Sequence, residues 1–391
     1  MQIGVGISEE YTPKEALRKS FRKASSFLNI KHKKILLVLI FYTYEFSLKE
    51  LFPYLEEIRE IALHVIAIKT YRLLDKKGTT YPGVGTIIFG SNSEDIEILT
   101  FPNIKHMRLP EDIERGILSF IRTHRHITIR SILNIINPYI FRISGFIQSL
   151  QNIFGKNIPI LGFSPAQDLY FKTSEFYYNG KLIKEGIISI IFTCAYELKF
   201  YQTTGFFPLA KDFIITKSYE NIIQEIDNLP ASKMYEELFP KEASNLRREI
   251  LPFLTLNYPI GFNLQEDKIC IRHTIKVLDD DSLFTNGEIL EGTPSKLLIG
   301  ARPQLLKTSQ SIFRKINQET AHYKLCLYLP SIAHFRILGS DVEREMKAVY
   351  ENLGSLRFIG IPTYKNLSWE FLNISFNNVG FQNNDIMAIC I

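Results

Sequence analysis

The chain alternates short apolar runs with stretches of helical period from its first residues onward. Residues 3–7 (IGVGI) read as a strand. Thr12-Pro13-Lys14-Glu15 then offers an N-cap hydroxyl, a proline at the first helical position and a glutamate three residues after the cap. Leu17, Phe21, Ala24 and Leu28 follow on one helix face, with Arg18, Lys19, Arg22 and Lys23 around the rest. Residues 35–42 (ILLVLIFY) form a continuous apolar run of strand length, the pattern of a strand covered on both faces. Residues 47–62 return to helical spacing through Leu48, Leu51, Leu55, Ile58 and Ile61, and residues 64–68 (HVIAI) complete a β-α-β-α-β unit.

Two strands at 83–89 and 96–101 flank a turn at Ser91-Asn92-Ser93. A helix at 110–122, a strand at 132–136, a helix at 140–154 and a strand at 158–162 come next, with 162–168 (GFSPAQD) as a loop. Asn179-Gly180 between apolar segments signals a hairpin, and 186–192 (GIISIIF) gives a further buried strand. Near Tyr219 the texture changes: 221–226 reads as a short helical stretch and Pro230 opens a helix. A chain of 391 residues exceeds one ordinary core, so the boundary is placed there, between regions 1–218 and 219–391. Beyond it helix and strand alternate again without a fixed repeat. The expected class is mixed α/β, two domains with mixed sheets flanked by helices, and more specifically two stacked sheets between helix layers.

Composition narrows the partners. With 46% hydrophobic and 22% charged residues the chain has the makings of a folded core and not of a disordered segment. A net charge of +5 from 46 basic and 41 acidic side chains lacks the clustered basicity that nucleic acid requires, so no nucleic-acid partner is expected. Cys194, Cys270, Cys326 and Cys390 lie too far apart for a zinc pattern or disulfide framework, and reduced, buried thiols are the reading. The start MQIGVGISEEY has no basic n-region or apolar h-region, and 35–42 falls well short of the ~20 residues of a membrane span. No membrane insertion and a cytoplasmic location are therefore expected.

Catalytic motifs are missing: there is no P-loop, nucleophile elbow, zinc-protease motif or dinucleotide fingerprint, and Gly4-Val5-Gly6 lacks the third glycine. His124-Arg125-His126 would put two imidazoles on one side of a strand, yet the arginine between them favours a surface pair over a metal site. Asp279-Asp280-Asp281 lacks calcium-loop spacing and, with the residues up to Gly287, suits a polar hairpin. The chain is read as a non-enzyme; the remaining enzyme reading would need Cys194 or Cys326 beside a histidine.

In this order the segments resemble the FIST family, in which a FIST N-terminal region is joined to a FIST C-terminal region. The likeness rests on IGVGIS at 3–8, LLVLIFYT at 36–43, PILGFSPAQD at 159–168 and the hairpin at 176–192. At the junction it rests on Gly205-Phe206-Phe207-Pro208, the strand at 213–216, Asn221, Glu225-Ile226-Asp227, Pro230-Ala231 and Tyr235. In the second region it rests on PIGF at 259–262, 281–292, Arg336-Ile337-Leu338-Gly339 with Glu343 and Glu345, and FIGIPTY at 358–364. Three places depart from the family pattern. Ser331-Ile332-Ala333-His334-Phe335 replaces a Cys-x-Gly-Arg-like turn, Lys365-Asn366 replaces Gly-Glu, and Phe376-Asn377-Asn378-Val379-Gly380 replaces a His-Asn-x-Thr element.

The resemblance implies an intracellular sensory module that binds a small polar metabolite, such as an amino acid, and signals to a separate protein such as a histidine kinase or chemoreceptor. A pocket between the regions is the expected place. Ser164, Asp168, His334, Arg336, Tyr364, Asn377 and Asn378 are the candidate ligand-binding residues, since hydroxyl, amide, carboxylate and guanidinium groups can hold both ends of a zwitterion. Some relatives resemble haem-containing nitric oxide sensors, so haem is a second reading, with His64, His273, His322 and His334 as available ligands. No resident metal is assigned. A scaffold with a decayed pocket is the third reading.

Overall fold

The run at 35–42 explains how the sheets are buried. In the strand Lys34–Thr43, Leu37, Leu39 and Phe41 enter one core while Val38, Ile40 and Tyr42 enter another on the opposite face. Ser131–Ile136 splits in the same way, with Leu133 and Ile135 inside and Ile132 and Ile136 outside. So does Leu325–Pro330, with Leu327 and Leu329 opposed to Cys326 and Tyr328. One inner core therefore joins three sheets, and each outer face carries helices: Pro13–Ser25 and Leu48–Arg59 on the first, Pro110–Thr123 and Ser144–Phe154 on the second, and Arg302–Gln318, Ile332–Leu338 and Val342–Leu353 on the third. The computed structural model describes residues 1–391 apart from 30–33, 94, 105–109, 125–126, 141–142, 156, 169–174, 194–197, 266–267, 320–321, 369–380 and 383–384.

The fold is mixed α/β, as the alternation predicts. The first sheet runs Gln2–Ser8, Val84–Ser91, Lys34–Thr43, Ala62–Thr70, Glu175–Tyr178, Lys181–Lys184, with Lys34–Thr43 parallel to Ala62–Thr70 and the other pairs antiparallel. A fourth sheet, formed by strands between 206 and 300, closes around its own apolar cluster.

Strands from the two ends of the chain share sheets. Thr363–Leu367 pairs antiparallel with Ile160–Pro165 in the second sheet. The short strand Leu73–Asp75 joins the third sheet where Leu74 faces Gly360, and Lys199–Thr203 pairs there with Ile386–Cys390. These exchanges extend the strand expected at 158–162 to Pro165, because its backbone finds a partner 200 residues away in sequence only after folding.

Several elements differ from their expected form; Pro230, expected to open a helix, ends the short strand Leu229–Pro230, and the helix starts at Lys233. Residues 221–226 form the strand Ile222–Ile226, not a helix. Ile222, Ile223 and Ile226 suit either period, and turns with positive φ at Glu220 and at Asp227-Asn228 decide for a meander. The helix expected from 140 starts at Ser144, after a turn in which Asn137 Oδ1 accepts from the Tyr139 amide at 3.1 Å. His124 follows the helix Pro110–Thr123 with its ring stacked on Phe120, so it is not on a strand; residue 126 lies outside the described residues. By contrast Asn179 and Gly180 both take positive φ between paired strands, as the hairpin requires, and Asp279–Asp281 lie in the turn between Thr274–Val277 and Leu283–Thr285.

Gly4 and Gly6 have a packing role. The helix Pro13–Ser25, capped by Thr12, lies so close to the first strand that a Cβ on Gly4 would sit 2.0 Å from the Ala24 carbonyl oxygen, and one on Gly6 2.1 Å from that of Ser20. Replacing Gly6 with alanine should force helix and strand apart and cost about 2–3 kcal/mol in a denaturant titration. Stability equal to wild type would show that the helix yields freely.

Candidate functional site

The pairing of Thr363–Leu367 with Ile160–Pro165 carries a β-bulge. Thr363 faces Pro165 and Lys365 faces Ser164, so Tyr364 is the extra residue. A bulge bends its strand and re-aims side chains. The Tyr364 hydroxyl donates to the Asp168 carbonyl oxygen, and its own carbonyl accepts from Asn286 Nδ2 at 2.9 Å. Three chain segments thus converge on one tyrosine: the end of a first-half strand, the hairpin residue Asn286 and a late strand. Burial first, and then the nearby Asp168 carboxylate, push the Tyr364 hydroxyl well above its ordinary value; the same two causes raise Tyr139. Both phenols stay protonated as donors.

Lys365, the next residue, is fully buried, and its Nζ donates to the Ile140 carbonyl at 2.7 Å. Burial, and secondarily the charge of Arg272, lower its amine to about 7. Arg272 is itself buried, with Nη1 on the Ile271 carbonyl at 2.9 Å and Nε on the Glu288 carbonyl at 3.1 Å. Gly287 is what lets the hairpin pass over it, since a Cβ there would come 2.7 Å from Arg272 Nε. Asn366 points the other way, giving Nδ2 to the Leu329 carbonyl at 3.0 Å and to Asp385 Oδ1 at 3.1 Å. Burial raises the Asp385 carboxyl to about 7, against the lowering effect of its hydrogen bonds to Gln202 and Asn366.

Around this strand several buried polar atoms have no protein partner among the described residues: Ser164 Oγ, both amide atoms of Gln167, Thr274 Oγ1, Asn366 Oδ1 and Ser368 Oγ. Orphaned buried donors and acceptors are rare in folded proteins, and each calls for a partner such as an ordered water, an ion or a ligand.

The expected site residues divide accordingly. Ser164, Asp168 and Tyr364 come together. Arg336 lies close enough for its charge to act on the Tyr364 hydroxyl, and its Nη1 is on the Leu251 carbonyl at 2.8 Å. His334, two residues earlier on the same helix, faces elsewhere: its Nε2 is 2.7 Å from Glu345 Oε1, to which the Tyr328 hydroxyl also donates at 2.8 Å. Asn377 and Asn378 lie outside the described residues.

Sequence reasoning missed Gln167, Arg272, Asn286, Lys365, Asn366 and Asp385. Lys365-Asn366 did carry a signal, as a departure from the family pattern; the others sit at strand ends, where a polar residue ordinarily means solvent. Of the histidines the haem reading would draw on, His334 Nε2 is engaged by Glu345 and His273 Nε2 lies 3.3 Å from Asn286 Nδ2, while His64 Nε2 and His334 Nδ1 are buried without a hydrogen-bond partner among the described residues. Cys326 faces Cys390 across the ladder, and their contact together with burial raises the Cys390 thiol; Cys194 is outside the described residues. No cluster of three metal-ligating side chains occurs among the described residues.

The model of the FIST N domain matches residues 36–229, and that of the FIST C domain matches 231–364. The chain belongs to the FIST family. A search of the curated proteins finds no match. FIST domains are sensory domains of signalling proteins, and the FIST assignment fits a chain without catalytic motifs. The FIST C match ends at Tyr364, so Lys365, Asn366 and Asp385 lie just past the matched stretch. No helix among the described residues is long and apolar enough to cross a membrane.

The two buried charges give this FIST protein a defined pH response. Between pH 7 and 10.5 the unfolded chain holds a proton on Lys365 that the folded one has released, so stability rises with pH across that window. Asp385 acts oppositely: from pH 3.8 to 7 the folded state holds the extra proton, and stability falls as pH rises. Thermal unfolding should therefore show a gain on the order of 2–3 kcal/mol from pH 7 to 9 that disappears in Lys365→Met. An unchanged slope in that variant would assign the gain to other groups. Separately, Glu345→Ala should cost about 3–5 kcal/mol by chemical denaturation, since it strands the buried His334 and Tyr328 donors.

Proposed function

We propose that this protein is a sensor that binds a small polar metabolite with a carboxylate, an amino acid being the leading class, at the bulged strand around Tyr364. The observation that carries the reading is the set of orphaned buried polar atoms beside two buried cations, at a seam built from both halves of the chain. A ligand carboxylate beside Lys365 and Arg272 would favour the protonated form of Lys365, whose basicity burial lowers. The ligand's ammonium group would face the Ser164 hydroxyl, the Gln167 amide oxygen and Asp168.

Signalling follows from the position of the site. A ligand that touches both Ile160–Pro165 and Thr363–Leu367 fixes the two halves against each other, and a partner protein, of the kind of a histidine kinase or chemoreceptor, reads the change. We propose a cytoplasmic setting for this exchange.

A thermal-shift screen against amino acids and other small metabolites tests the reading, because a ligand at 100 times its dissociation constant stabilises by about 2.7 kcal/mol. Amino acids should raise the midpoint in the wild type and fail to do so in Lys365→Met and Ser164→Val. No shift from any compound would leave a scaffold that acts by protein contacts alone.

A further inference from the structure

A cavity of about 740 Å3 opens between the last turn of the helix Pro13–Ser25, the turn after Leu73–Asp75 and the start of the strand Arg357–Gly360. It is lined by Lys23, Lys76, Lys77 and Arg357. None of these four cations forms an ion pair among the described residues. Asp75 also lines the cavity, but its Oδ1 is taken by the Lys77 and Gly78 amides at 2.6 and 3.1 Å.

The cations are positioned. Lys23 Nζ donates to the Ile7 carbonyl at 2.7 Å and Lys76 Nζ to the Gly354 carbonyl, which leaves each ammonium further N–H donors. The Arg357 guanidinium lies 4.7 Å over the ring of Phe27, and its Nε is buried without a hydrogen-bond partner among the described residues. Burial also lowers the basicity of Lys76 and Arg357, so these charges are partly stripped of water. The negative end of the helix Pro13–Ser25 lies here too, but it amounts to about half a charge against four full positive ones. An anion with several oxygens would relieve the repulsion and satisfy Arg357 in a fork geometry that suits phosphate.

We propose that this cavity binds the phosphoryl group of a small phosphorylated metabolite. The volume leaves room for more than the phosphate, and an adjoining cavity of about 520 Å3 shares Ser355, Leu356 and Arg357 with it. The site is separate from the junction site in residues and in ligand chemistry. It too straddles both halves of the chain, since Lys23, Lys76 and Lys77 come from the first and Arg357 from the second.

Isothermal titration with ADP and with inorganic pyrophosphate, at low and high salt, tests the assignment. Both should bind, more weakly as salt rises. Lys77→Glu, at an exposed position, and Arg357→Gln should each weaken binding by about tenfold or more, while Lys365→Met leaves it unchanged. Unliganded melting midpoints would establish that the variants are folded. Failure of both probes to bind at millimolar concentration, or binding that Lys77→Glu and Arg357→Gln leave intact, would overturn the assignment. Because Lys365→Met removes only the junction site, the two readings fail independently.

Discussion

The backbone ladder between Thr363–Leu367 and Ile160–Pro165 is the constraint on which the other features depend. Its hydrogen bonds join segments some 200 residues apart, and the bulge at Tyr364 fits their registers together. With the exchange of Leu73–Asp75 into the third sheet, it makes the inner apolar core common to both halves. Relative motion of the halves must therefore strain a sheet, not merely slide an interface. A molecule bound at the ladder acts on a mechanically continuous structure.

The same seam concentrates electrostatic cost. Arg272, Lys365 and Asp385 are buried, with Arg272 donating to the Ile271 and Glu288 carbonyls, Lys365 to the Ile140 carbonyl, and Asp385 accepting from Asn366. An apolar strand would pack there at lower cost. Departures of this kind from ordinary packing concentrate at functional or strained sites. The Tyr328–His334–Glu345 cluster contrasts with it: Glu345 takes both the Tyr328 hydroxyl and His334 Nε2 between a strand and the helices that cover it.

Membership in the FIST family gives the sensory class, while the residues just past the FIST C match give this protein its own chemistry. Lys365 and Asn366 place a buried amine and an amide on the strand Thr363–Leu367. Both are presented by a backbone ladder that is formed by main-chain groups.

The sequence by itself determined the elements whose stabilising interactions are local: the capped helices after Thr12 and Ser47, the Asn179-Gly180 hairpin and the strands whose unbroken apolar runs announce cover on both faces. It also offered Ser164, Asp168 and Tyr364 as candidates, and the fold places these three near one another. Only the tertiary structure decided that 221–226 is a strand, that Ile160–Pro165 continues to its proline and that His334 is turned away from Arg336. It alone brought Arg272, Asn286, Lys365 and Asp385 to the seam. The physical reason is range. Capping, turn geometry and periodicity act over a few residues and are written in neighbouring letters. A ladder partner or a buried counter-charge comes from far along the chain, and one sequence does not record which distant segment will arrive.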